Sequence, residues 1–145
     1  LTTCHLHQTE ILYSCLHTGR ISVVGIHYQV VMLRRREIVA MYDKAFENNP
    51  KITIVKAPHA DECSFHIYEL IVPNREGLLG ALAENDIYGG VHYRDNTEYS
   101  MYTYAKGTCP KAHEMSEHLI TLPLHMWLTN EEVEQIITVV NDYVK

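Results

Sequence analysis

No run of apolar residues in this chain of 145 approaches the ~20 needed to cross a bilayer. No positively charged N-terminal region leads into an apolar stretch, so no secretory signal is expected. The four cysteines (Cys4, Cys15, Cys63 and Cys109) form no Cys-x-x-Cys pair, and a chain of this length does not need disulfide staples. A reduced, cytoplasmic protein is expected. There is no Gly-rich phosphate loop and no serine nucleophile elbow. There is no basic excess either: 12 Lys and Arg stand against 18 Asp and Glu, a formal charge of −6, which excludes a general phosphate-backbone binder. The one basic cluster, Arg34-Arg35-Arg36, is followed by Glu37 and reads as the solvated face of a helix. An initiator methionine, internal repeats and low-complexity segments are also missing. What remains, with 46% hydrophobic and 21% charged residues, has the balance of one globular domain.

From Arg34 to Asn48, apolar residues recur at helical spacing (Ile38, Val39, Tyr42, Ala45, Phe46) until Asn49-Pro50 stops them. Residues 51–57 and 64–72 alternate as strands, separated by a polar turn. Asn74 is a helix N-cap ahead of Leu78, Leu79 and Leu82, and Asn85-Asp86 ends that helix. Gly89-Gly90 suits a tight turn before a short extended segment, Val91 to Arg94. Residues 95–109 form a Tyr-rich loop, and Pro110 opens a helix expected to run through Met115 and Leu119. Leu122-Pro123-Leu124 breaks it and begins an extended connection. Thr129 to Glu132 is a capping box for a last helix with Val133, Ile136, Ile137, Val140 and Tyr143 on one face, expected to pack on the sheet. The order describes an α+β domain, a small sheet of about three strands with helices mainly on one face.

Candidate chemistry is sparse. Cys4, His7, Cys15 and His17 could supply four zinc ligands, but their spacing matches no common zinc module, and local strand and loop residues are the plainer reading. His113 and His118 are five apart and share no helix face. His66 reads as a half-buried strand histidine, and neither Cys63 nor Cys109 shows signs of an activated thiolate. His92-Tyr93 stand at the end of a short apolar segment beside the Gly-Gly turn, on opposite faces if the segment is regular. Either ordinary rim packing or a polar-ligand site accounts for them.

Four blocks in order resemble the C-terminal domain of the DegT/DnrJ/EryC1/StrS sugar aminotransferases. They are Arg34 to Tyr42; Ser64 to Leu70 with Asn74 to Leu78; Ile87 to Tyr93; and Pro110 to Glu114 with Leu122-Pro123-Leu124 and Leu128-Thr129. The resemblance covers about residues 30–145. It implies a small domain at 31–145 (aminotransferase small-domain-like), with residues 1–30 a degenerate remnant of the large cofactor-binding domain. The family is expected to use pyridoxal phosphate, held on a lysine, to move an amino group from glutamate to a nucleotide-linked keto sugar for cell-surface polysaccharides. Carried over by position, His92 and Tyr93 lie nearest the sugar. Arg94 and Asn96 stand where many members have Pro-Leu-His, and Asn96 or Arg94 takes the place of the second histidine.

Further upstream the match degrades. Cys4 to Glu10 resembles the segment that carries the family's Schiff-base lysine, with Glu10 in the lysine's place, and a carboxylate forms no imine. Gly25 to Gln29 resembles the family's Gly-x-Asn-Tyr-Arg phosphate motif. There His27 and Gln29 are the degenerate cofactor-binding positions, and Gln29 loses a charge-assisted contact. The resemblance therefore implies a truncated member with no catalytic residue of its own and no cofactor bound by this chain alone. The expected partners are a nucleotide-linked sugar and either a second copy or an intact aminotransferase subunit, with no nucleic acid and no membrane. The alternatives are a sugar-nucleotide or subunit-binding module, and a zinc domain built on Cys4, His7, Cys15 and His17.

Overall fold

Ile38, Tyr42 and Phe46 recur every fourth residue, and all three are fully buried. Stacking one above another on the same side, they make the first helix a core element rather than a surface one. The computed structural model describes residues 23–57, 59 and 63–145. Within them helix α1 runs Val23–Phe46, starting well before the expected Arg34. The triple arginine is not simply a solvated face. Arg34 donates from Nε and Nη2 to the Leu128 carbonyl (3.2 and 2.7 Å) and from Nη1 to Glu37 (3.1 Å). Arg35 reaches the Ser64 carbonyl at 3.4 Å, and Arg36 lies 5.8 Å over the Phe65 ring. These arginines brace α1 against segments far away in sequence.

The sheet has three antiparallel strands in the order β1-β2-β3: Thr53–Ile54, Tyr68–Ile71 and Leu119–Leu122. Both early strands are shorter than the alternation in 51–57 and 64–72 suggests. Phe65 takes a φ of +43°, in the left-handed region that extended strands avoid, so pairing on β2 begins only at Tyr68. The third strand is not Val91–Arg94. That segment contributes a single bridge from Gly90 to Thr121, while β3 forms where a helix was expected to continue. Leu119 is already extended (φ −77°, ψ 127°), so α3, Pro110–His118, stops before Pro123 can act on it.

Opposite residues in an antiparallel pair share a face. Tyr68 pairs with Leu122 and Leu70 with Ile120, and all four are buried with Val72 beneath the helices. Glu69 pairs with Thr121 on the other face. Helices therefore cover one side of the sheet, the α+β arrangement expected. Tyr42 joins the layers: its hydroxyl donates to the Pro123 carbonyl at 2.9 Å, and its ring lies 4.8 Å from that of Tyr68, whose own hydroxyl donates to Asp43 at 2.8 Å.

Helix α2, Arg75–Ala83, starts on Asn74, whose side chain accepts from Gly77 N–H at 3.0 Å and donates to the Tyr143 hydroxyl at 2.7 Å. A β-carbon at Gly77 would lie 1.8 Å from that hydroxyl, so a larger residue there would have to displace the Tyr143 ring and its bond to Asn74. Arg75, almost fully buried, donates to the Ser116 carbonyl and ties α2 to α3. Helix α4, Asn130–Tyr143, has the expected capping box: Glu132 N–H donates to Thr129 Oγ1 (3.2 Å), and Thr129 N–H donates to Glu132 (2.7 Å). Its Val133, Ile136 and Val140 are buried; Ile137 is half-buried and Tyr143 lies at the rim. It packs chiefly on α1 and α2 rather than flat on the strands.

Leu70→Ala, at the centre of the core, should cost about 2–5 kcal/mol, whereas Thr129→Ala should cost about 1 kcal/mol by loss of the cap. Urea unfolding of the two variants checks both the size and the order.

Candidate functional site

The site grows from Thr121. Gly90 exchanges two backbone hydrogen bonds with it (2.9 and 2.8 Å), which lays the chain after α2 along the free edge of β3. His92 then places Nδ1 3.0 Å from Thr121 Oγ1. A β-carbon at Gly90 would stand 2.8 Å from the His92 ring. Neither Gly89 nor Gly90 has a positive φ; among the described residues only Gly107 is a glycine of that kind. Gly90 therefore supplies room for His92, and Gly89 room for Leu79 and Leu82, rather than the special turn geometry suggested by the sequence. Across the pair from Thr121, burial pushes the Glu69 carboxyl above its ordinary pKa, and His92 and His66 partly offset this.

Tyr93 turns the other way. Its ring meets His92 edge-on at 5.3 Å and is 71% exposed. With Arg94 and Asn96 it lines an open cleft of about 690 Å³, completed by Val91, Asp95, Thr97, Tyr99, Cys109 and Ala112. Of the four residues singled out in sequence, the structure brings Tyr93, Arg94 and Asn96 together. His92 lies outside that cleft, behind Tyr93 and against the sheet. His27 and Gln29 lie on the backbone of α1, with side chains outside the described residues. Glu10 and the group Cys4, His7, Cys15 and His17 also lie outside them. His66 is exposed and precedes β2 rather than lying within it; its nearest polar partner is Ser64 Oγ at 3.5 Å.

The residue that sequence reading missed is Asp95. Its carboxylate accepts from Thr97 N–H (2.9 Å) and Thr97 Oγ1 (2.8 Å) and lies 3.3 Å from His113 Nδ1 on α3. Its side chain is only 5% exposed. The two Thr97 donors hold its pKa below the ordinary aspartate value, with a smaller push from His113, against the opposing effect of burial. The local signal was present, because Asp-x-Thr is an Asx-turn pattern. The long-range partner on α3 had none. Asp95, Glu98 and His113 bring three ligand-type atoms within 4.8 Å of one another. A cation there would have to displace Thr97 from Asp95 and Lys106 from Glu98 (3.4 Å), so the group acts as a clasp between the loop and α3.

A second cavity, about 500 Å³ and mostly apolar, lies between α1 and the β1 edge, with Val39, Ile54, Phe65 and Tyr68 among its lining. Its walls come from three segments distant in sequence, which periodicity alone cannot bring together. Among the described residues, no helix is long and apolar enough to cross a membrane.

The model of the DegT/DnrJ/EryC1/StrS aminotransferase family matches residues 26–141. The chain belongs to this family. It is 28% identical, over 73% of its own length, to the UDP-4-amino-4,6-dideoxy-N-acetyl-beta-L-altrosamine transaminase of Helicobacter pylori, covering 30% of that protein. Among solved structures, it superposes on a protein of Streptococcus pneumoniae assigned as a sugar aminotransferase with a TM-score of 0.71 at 31% identity, covering 81% of this chain and 32% of the other. An aminotransferase from Streptoalloteichus hindustanus gives a TM-score of 0.73 at 24% identity, over 82% and 33% of the two chains, and shows the same fold. The chain spans about a third of the length of the curated relatives it matches.

The family is dependent on pyridoxal phosphate, and the described residues do not fit that group. Its imine needs a lysine amine taken out of water or set beside another cation. Lys44, Lys51, Lys56, Lys106, Lys111 and Lys145 are all exposed. Lys51 donates to the carbonyl of Lys145, and Lys145 and Lys106 are paired with Asp142 and Glu98. None of the six lines the cleft of Tyr93 and Arg94.

Two carboxyls should titrate with opposite signs. Asp95, lowered in the fold, contributes stability above the ordinary aspartate value near ~4 that is lost as pH falls through its lower folded value. Asp95→Asn should therefore destabilise at neutral pH, with the gap closing in acid. Glu69, raised in the fold, destabilises once ionised, so Glu69→Gln should gain stability at neutral pH and gain none below the ordinary glutamate range. Urea midpoints of each variant against the parent, at neutral and at acid pH, check both signs.

Proposed function

We propose that residues 31–145 act as the C-terminal small domain of a pyridoxal-phosphate-dependent nucleotide-sugar aminotransferase, presenting substrate-binding groups to the sugar. In this reading residues 1–30 correspond to a degenerate remnant of the large cofactor-binding domain. The observation that carries the proposal is the cleft in which Tyr93, Arg94 and Asn96 converge, at the positions that the family resemblance assigns to substrate contact. His92 acts from behind: bonded to Thr121, it fixes the edge on which the Tyr93 ring rests. Asp95, pinned by Thr97 and His113, fixes the backbone between Arg94 and Asn96.

These 145 residues do not transaminate unaided. Amino transfer needs a cofactor held on a desolvated lysine, and each described lysine is in water. Glu10 in the position of the family's lysine points the same way. The partner in this reading is a nucleotide-linked sugar that ordinarily donates or accepts the amino group on another part of the enzyme. The chain's role is to bind and orient that sugar.

Reductive trapping tests the proposal. The chain is incubated with pyridoxal phosphate and reduced with borohydride, and its intact mass and modified peptides are read beside an intact family member. Sparse labelling spread over several lysines is expected. One stoichiometric adduct on a single lysine would overturn the claim that the chain lacks a Schiff-base site.

A further inference from the structure

We infer that Arg94 is an oxyanion receptor, making the cleft selective for a sugar nucleotide through a ring carboxylate or through its diphosphate. The inference rests on the sugar-binding reading of the cleft and adds the chemical feature that is read there.

The argument starts from how the other described arginines are engaged. Arg34 holds the Leu128 carbonyl and Glu37, Arg35 the Ser64 carbonyl, and Arg75 the Ser116 carbonyl and Glu76. Arg36 stacks over Phe65. Alone among the described arginines, Arg94 makes no hydrogen bond, ion pair or ring contact with another described residue, and it lines the cleft. A guanidinium beside a carboxylate ordinarily pairs with it. Here the adjacent Asp95 is turned inward, 5% exposed, with its oxygens taken by Thr97 and His113. The clasp that orders the loop therefore also withholds Asp95 from the Arg94 fork. Glu98, the next acid along, is paired with Lys106. In a chain with a net charge of −6, this leaves a local positive site with no counter-ion among the described residues.

The surroundings suit a carbohydrate anion. A planar fork of five donors matches a carboxylate or phosphate bidentately, which a lysine does not. Asn96 adds an amide able to donate or accept a hydroxyl's hydrogen bond. The exposed Tyr93 and Tyr99 rings offer apolar faces with polar edges, as a sugar ring requires.

The test titrates the chain with UDP, UDP-glucose and UDP-glucuronate, following the backbone resonances of residues 93–97. Loss of a charge-assisted bidentate contact should weaken binding about tenfold or more. A ring carboxylate as the source predicts that UDP-glucuronate binds about tenfold tighter than UDP-glucose and that Arg94→Gln erases the difference. The diphosphate as the source predicts that all three bind alike and that Arg94→Gln weakens all three. Arg94→Lys should recover only part of either effect. Nucleotide binding that Arg94→Gln leaves unchanged would overturn this inference while leaving the sugar-binding reading standing. If no probe moves residues 93–97 at millimolar concentration, that reading fails as well.

Discussion

The register between β2 and β3 is the constraint on which the rest depends. With Tyr68 opposite Leu122 and Leu70 opposite Ile120, four large side chains enter the core, and Glu69 and Thr121 are left on the other face. A slip of one residue would turn Thr121 into the core and Ile120 out of it. It would also remove the hydroxyl that holds His92 and misplace the carbonyl and N–H that pair with Gly90. Core and site are thus specified by the same four residue pairs. A substitution that loosens the one disturbs the other.

Around that register, long polar side chains do the joining that so short a sheet cannot. Tyr42 links α1 to the Pro123 connection, Arg34 links α1 to the entry of α4, Arg75 links α2 to α3, and Asn74 links α2 to the end of α4. Most of these bonds end on a backbone carbonyl in a loop or at a helix terminus, where no ladder partner exists. A buried or half-buried carbonyl left unpaired costs more than the bond itself contributes. Each such arginine or tyrosine therefore matters more than a surface ion pair of similar length.

How much of this could be read from sequence depends on the range of the interaction involved. The capping box at Thr129 and Glu132, the Asn74 cap and the stripe Val133, Ile136, Val140 are local, and they lie where the pattern places them. The third strand does not. Leu119-Ile120-Thr121-Leu122 is a short apolar run directly after a helix, and periodicity cannot separate a buried strand from another helical turn over so few residues. Only pairing with β2 decides it. The extended look of Val91 to Arg94 failed for the complementary reason: its residues extend, but only Gly90 finds a partner. The grouping of Tyr93, Arg94 and Asn96 in one cleft was legible because they lie close together in the chain. Asp95 gains its role from His113 on a different helix, and His92 from Thr121 on a different strand.

The contrast between the two halves of the site bears on what the chain can do. Orienting a sugar needs a fixed backbone, a free donor fork and an aromatic edge, and all of these can be built at a surface. In the proposed reading, His92, Asp95 and their partners hold the backbone, and Tyr93, Arg94 and Asn96 line the cleft in front of it. Imine chemistry needs the opposite environment, an amine withdrawn from water so that its neutral form attacks. Exposed lysines do not provide it. In the proposed reading the open cleft serves recognition, which asks of its lining only polar and aromatic groups at a surface.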